Sequence, residues 1–119
     1  MTDAPRRVLI LDDEPMILMD LRFAAEDLDA EPVEARDVPG ALAAIDGNAP
    51  DVAVLDVNLG RGATCAPVAE RLHDLGVPFL LHTGDLHRQG ELVAGLGAPV
   101  VPKPTPGPAV IRQALALLK

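Results

Sequence analysis

Serine, tyrosine and tryptophan are absent from the chain, and lysine occurs only at positions 103 and 119. No serine is therefore available as a nucleophile for acyl or phosphoryl transfer. The large aromatics are Phe23 and Phe79 alone, so a platform for stacking bases or flavin rings is excluded as well. The one cysteine, Cys65, cannot form an internal bridge. None is needed, because a chain of 119 residues buries roughly two thirds of the surface that its unfolded form exposes. No apolar run approaches the ~20 residues of a bilayer span, and the first residues lack a secretion-signal core, so a cytoplasmic protein is expected. Basic residues are scarce: 10 against 18 acidic, a formal charge of −8. Counterion-driven binding to DNA or to an anionic membrane would be repulsive, and neither is an expected partner.

What is present fits one domain over residues 1–119. Short, continuous apolar runs alternate with segments of helical period, the pattern of a parallel sheet covered on both faces. Val8-Leu9-Ile10-Leu11, Val52-Ala53-Val54-Leu55 and Phe79-Leu80-Leu81 are the clearest strands. Weaker runs from Pro32 to Ala35 and at Val100-Val101 belong at the sheet edges. Helical stripes comprise Ile17, Leu21, Ala24 and Leu28, then Val68, Leu72 and Leu75, and last Ile111, Leu115 and Leu118. Pro15 suits a first helical turn, Thr64 a cap and Gly76 a helix end. A shorter helix spans Ala41 to Ile45. The segment from Leu86 to Leu96 holds Gly90 and Gly95, each costing about 1 kcal/mol inside a helix, so this helix is expected to be the least stable. Five strands alternating with five helices give an α/β doubly wound sheet, whose ligands lie beyond the carboxyl ends of the strands.

The residues at those ends form one constellation. The first strand ends in Asp12-Asp13-Glu14, the third in Asp56, the fourth in Thr83-Gly84 and the fifth in Lys103-Pro104. Neighbouring strand ends converge, so several carboxylates should face one ammonium group. Repelling carboxylates stay ionised most cheaply around a hard divalent cation with oxygen ligands, which points to Mg²⁺. Helix capping explains one acid before the first helix but not a pair, and a solvated-loop role does not explain why Asp56 closes a four-residue apolar strand in the same row.

VLILDDEP, VAVLDVNLG, HTGD and VPKP, in this order and spacing, resemble the receiver domain of bacterial two-component response regulators over essentially the whole chain. The resemblance implies the (βα)5 flavodoxin-like receiver fold, with a five-stranded parallel sheet in the order 2-1-3-4-5. It implies that Asp56 is the phosphoacceptor, that Asp12 and Asp13 are the acidic pair, and that Asp13, Asp56 and the backbone carbonyl of Asn58 bind Mg²⁺. Thr83 and Lys103 would contact the phosphoryl oxygens, and the Lys103-Pro104 peptide would be cis. The implied partners are a histidine kinase or phosphotransfer protein and a downstream protein, with no dedicated enzyme activity.

Departures from the family pattern are local. Val100 stands where receivers usually carry a switch aromatic, and Thr105 where they place a bulky apolar residue. The run Pro78-Phe79-Leu80-Leu81-His82-Thr83-Gly84 partly resembles the atypical FAT GUY receivers, which also lack the switch aromatic and often occur as single domains linked to stress signalling. Without that ring, phosphorylation is expected to change local order across residues 85–98. His82 should face away from Thr83 across its strand. His82, Asp85 and His87 lack a fourth ligand and a supporting shell, so zinc is not expected. Cys65 has no neighbouring lysine or histidine in sequence to activate it. Two alternatives remain at this level. One is a Mg²⁺-dependent phosphatase with an aspartyl intermediate, although Asp12-Asp13 lacks the Asp-x-Asp spacing of haloacid dehalogenases. The other is a receiver-like interaction module that is never phosphorylated.

Overall fold

The computed structural model describes residues 5–84 and 90–118. Its strands are β1 (Arg7–Leu11), β2 (Glu31–Ala35), β3 (Val52–Leu55), β4 (Phe79–Thr83) and β5 (Val100–Pro102), which alternate with helices α1 (Pro15–Asp27), α2 (Val38–Gly47), α3 (Ala66–Asp74), α4 (Gly90–Leu96) and α5 (Gly107–Ala116). All pair in parallel, in the order β2-β1-β3-β4-β5. This is the doubly wound architecture that the alternating pattern predicts, and the two weak runs form its edges.

The period of two splits the strand residues between two apolar layers. Val8, Ile10, Val52, Val54, Leu80 and Val101 pack with α1 and α5, while Leu9, Leu11, Ala53, Leu55 and Leu81 pack with α2 and α3. Every residue of Val52–Leu55 is buried, which explains why that run shows no polar alternation. Burial on both faces also fixes the register, since a one-residue slip would exchange the two layers. The sheet therefore holds its carboxyl-terminal ends as a rigid row.

Local signals work as expected in several places. Pro15 opens α1 at its first position, whereas the N-cap of α3 is Cys65 and not Thr64, whose hydroxyl accepts from the Ala66 N–H at 3.3 Å in the turn just before the helix. Gly76, at φ +71°, turns the chain out of α3. The helix α2 is longer than the apolar core Ala41–Ile45, because the Asp37 carboxylate accepts from the Gly40 N–H at 2.8 Å and Pro39 suits the first turn.

Three helical stripes are shifted from the sequence pattern. In α1 the buried residues are Leu18, Leu21, Ala24 and Ala25, with Ile17 and Leu28 only half-buried, because the helix turns a slightly different arc toward the sheet. Leu75 is 48 % exposed, since α3 ends at Asp74 before that position completes the face. In α5, Val110, Ile111 and Ala114 are buried, whereas Leu115 and Leu118 only border the core. Of the predicted fourth helix, Gly90–Leu96 is observed as α4, and residues 85–89 lie outside the described residues.

Helices α1 and α5 meet closely at Gly107. A Cβ there would come within 2.8 Å of the Asp20 carboxylate and 3.0 Å of the Asp20 backbone oxygen. Gly107→Ala is expected to destabilise the fold by about 1–3 kcal/mol through this overpacking. A urea midpoint that falls with an unchanged slope checks it, and an unchanged midpoint contradicts it.

Candidate phosphoacceptor site

Asp12 and Asp56 are the residues that follow β1 and β3, and the backbone clamps both. The Asp12 N–H donates to the Ala35 carbonyl at 3.1 Å, and the Asp56 N–H donates to the Leu11 carbonyl at 2.8 Å. Each side chain is thus set by an extension of the sheet ladder rather than by a free loop. The Asp12 carboxylate accepts from the Glu14 N–H at 2.9 Å, which fixes the turn into α1. Carboxylate oxygens of Asp12, Asp13, Glu14 and Asp56 lie within 4.8 Å of one another. Asp12 and Asp56 are buried, while Asp13 and Glu14 are exposed at the mouth.

Lys103 comes to this cluster from the far side of the sheet. Its backbone N–H donates to the Thr83 carbonyl at 3.0 Å, joining the ends of β4 and β5, and the Lys103-Pro104 peptide is cis as the resemblance implies. The Lys103 Nζ lies 2.9 Å from Asp12 Oδ2, 3.2 Å from Glu14 Oε1 and 3.4 Å from Asp56 Oδ2. One ammonium therefore serves three carboxylates. Asp13, Glu14, Asp56, Asn58, Thr83 and Lys103 line a single cleft of about 430 Å³.

Asn58 sits in the loop after β3, where its side-chain oxygen accepts from the Gly60 N–H at 3.0 Å. It faces Thr64 in an isolated antiparallel bridge whose hydrogen bonds run from Leu59 to Ala63 and from Cys65 to Val57. Asn58 and Thr64 are thus the non-hydrogen-bonded pair, which leaves the Asn58 carbonyl unused by that bridge. The structure brings together every residue that the sequence reading named for the site. Glu14 was placed at the strand end without a role. Its contact with Lys103 had no signal in the spacing, because it depends on a side chain reaching across from β5.

The electrostatics follow from crowding and burial. Desolvation, with the Asp12 charge next and Asp13 after it, pushes the Asp56 carboxyl up from 3.8 to about 7, although Lys103 opposes the shift. Burial alone would depress the Lys103 ammonium, but its hydrogen bonds and its attraction to Asp12, Asp56 and Glu14 outweigh this and hold it above the usual lysine value. Burial, and then the Asp56 charge, pushes the Cys65 thiol up to about 12, so it is inert as a nucleophile. His82 is buried on the opposite face of β4 from Thr83, as predicted, and burial followed by Lys103 lowers its pKa. Asp85 and His87 of the rejected zinc set lie outside the described residues.

The donor set suits Mg²⁺. It consists of hard carboxylate oxygens, and it contains neither thiolate nor imidazole. Asp12, Asp13, Glu14 and Asp56 are the carboxylates close enough together to hold such an ion, and Asn58 lines the same cleft.

A five-stranded doubly wound sheet with buried acids at the switch point, opposed by a lysine from the last strand, defines the class of CheY-like, flavodoxin-like proteins. No family model matches the chain, and comparison with curated proteins finds no match. Solved structures do match. SdrG from Sphingomonas melonis Fr1 is 37 % identical with a TM-score of 0.80, and the match covers 98 % of each chain. The receiver domain of NtrX from Brucella abortus is 28 % identical with a TM-score of 0.79, over 93 % of this chain and 97 % of that domain. Against the longer NtrX chain the match spans 27 % of that chain's length. A CheY-like receiver domain from Methylobacillus flagellatus, 18 % identical with a TM-score of 0.80, shares the fold over 97 % of this chain and 99 % of its own. The chain belongs to the response regulator receiver family.

No helix among the described residues is long and apolar enough to cross a membrane.

Proposed function

We propose that the protein is a phosphoacceptor switch of a bacterial two-component system, of the FAT GUY-like type, rather than a dedicated enzyme. A histidine kinase or phosphotransfer protein supplies the phosphoryl group, and output passes through contacts with a downstream protein in the cytoplasm, not through DNA. The observation that carries this reading is the convergence of Asp56, the acidic pair and Lys103 in one cleft.

In this reading an Asp56 carboxylate oxygen attacks the phosphorus of a phosphohistidine. The new P–O bond forms as the P–N bond breaks, and the imidazole leaves with the electron pair and takes up a proton. Bound Mg²⁺ would neutralise negative charge on the transferring oxygens. The residues supply the rest. Lys103 holds its ammonium beside Asp56, close to where charge develops on the transferring oxygens. The Thr83 side chain is held at the same cleft as a hydroxyl donor for the phosphoryl oxygens. In the product a phosphoryl group with up to two negative charges replaces a carboxylate with one, and its oxygens compete with Glu14 and Asp12 for Lys103 and bias the surrounding loops. Later hydrolysis of the acyl phosphate resets the switch.

The test is to incubate the protein with Mg²⁺ and acetyl phosphate, or with beryllofluoride, beside Asp56→Ala. A gain of one phosphoryl mass confined to the unsubstituted protein is expected. Rapid ester turnover with no stable adduct would replace this reading with a phosphatase, and no response to either reagent would replace it with an interaction module.

A further inference from the structure

A second cavity lies behind the phosphoacceptor cleft, on the α1 and α5 side of the sheet. It has a volume of about 670 Å³, and its walls include His82 from β4, Glu14, Ile17 and Asp20 from the start of α1, and Pro104 and Pro106 from the turn into α5. His82 is 2 % exposed, and neither ring nitrogen has a hydrogen-bond partner among the described residues. Leaving a buried polar side chain unpaired is costly, so such a group calls for an explanation in what the cavity receives. Asp20, at the mouth, likewise makes no hydrogen bond or ion pair with another described residue. Its carboxylate is instead held against the backbone of Gly107.

We propose that this cavity is a binding site for a guanidinium or ammonium group carried on a short apolar stem. The chemistry of the walls selects that class. Their open hydrogen-bonding capacity is accepting: the Asp20 carboxylate and the part of Glu14 not engaged by Lys103, with the unpaired His82 imidazole, whose protonation burial disfavours, in the wall. Ile17, Pro104 and Pro106 offer apolar surface to the stem. An anion would meet two carboxylates, and a purely apolar guest would leave them and the imidazole unsatisfied. Lys103 borders the cavity and its charge is felt at His82, but Asp12, Asp20 and Glu14 oppose it there, and its ammonium is held by Asp12, Glu14 and Asp56. The forked donors of a guanidinium suit several separated acceptors better than a single ammonium does. Glu14 and Lys103 border both cavities, so a guest here would sit against the rim of the phosphoacceptor cleft.

The test is a titration of isotope-labelled protein, followed by nuclear magnetic resonance at neutral pH, with agmatine, with its neutral analogue N-butylurea, and with the peptide acetyl-Ala-Arg-Ala-amide. The expected result is a saturable change of the His82 ring nitrogens and of the amides of Asp20 and Thr105, with either cationic probe and not with the urea. Asp20→Asn, a change at an exposed position, should weaken binding at least tenfold. Asp56→Asn should still bind, which keeps this outcome separate from the fate of the phosphoacceptor reading. A peptide that binds more tightly than agmatine assigns the site to a partner's arginine, and the reverse order assigns it to a free amine. Shifts that never saturate, that spread over the acidic surface, or that persist unchanged in Asp20→Asn would overturn the proposal.

Discussion

Asp56→Asn is expected to be more stable than the unsubstituted protein at about pH 8 without divalent cation, by about 2–4 kcal/mol. Folding raises the Asp56 carboxyl from 3.8 to about 7, so the folded state holds a proton that the unfolded state releases between those values. Stability therefore falls as pH rises through that window, and the full penalty is present above about 7. The displacement corresponds to roughly 4 kcal/mol, an upper figure that water at the open mouth of the cleft reduces. Asparagine keeps the shape of the neutral acid and escapes the penalty. At about pH 4 the two proteins should unfold together, and Mg²⁺ should narrow the gap at pH 8 by stabilising only the carboxylate form. Denaturant curves at both pH values check this. Equal midpoints at pH 8 without Mg²⁺ would show that Asp56 is not crowded in the way its neighbours imply.

Lys103→Met is expected to slow acyl phosphate formation from acetyl phosphate by about 10²- to 10³-fold, the range typical of losing one preorganised charge at a transferring group. Methionine retains the apolar stem and removes only the ammonium. Two effects combine: Asp56 loses the group that opposes its protonation, so fewer molecules carry the nucleophilic carboxylate at neutral pH, and the phosphoryl oxygens lose their cation. Raising the pH restores the first and not the second, so a deficit that persists at about pH 9 identifies the contact with the transferring group. Mass spectrometry of the adduct over time provides the measurement. A rate within threefold of the parent at neutral pH would remove Lys103 from the chemistry.

Much of this architecture was legible because burial on both faces leaves a plain signature. Val52–Leu55 shows an unbroken apolar run since each face of β3 meets a helical layer, and its acid follows at once because the buried strand ends there. The site was legible for the same reason, since parallel strands deliver their last residues to one edge. Helix faces were less so. Leu75 fits the period of α3, yet the helix stops one residue short of it, and a stripe alone does not encode where a glycine turns the chain. Contacts that depend on tertiary reach were not legible at all. The bridge from Glu14 to Lys103 and the pairing of Asp20 with Gly107 join residues 89 and 87 positions apart, and no local pattern marks either.

The backbone clamps on Asp12 and Asp56 have one more consequence. With one amide tied to Ala35 and the other to Leu11, the two acids cannot drift apart to ease their mutual repulsion. Relief has to come from what the pocket takes in, whether a proton, a cation or a transferred group, and not from a change in spacing. The strand ends thereby convert a fixed separation into a sensitivity to occupancy, so the pocket registers small changes in its contents that a looser frame would absorb by bending.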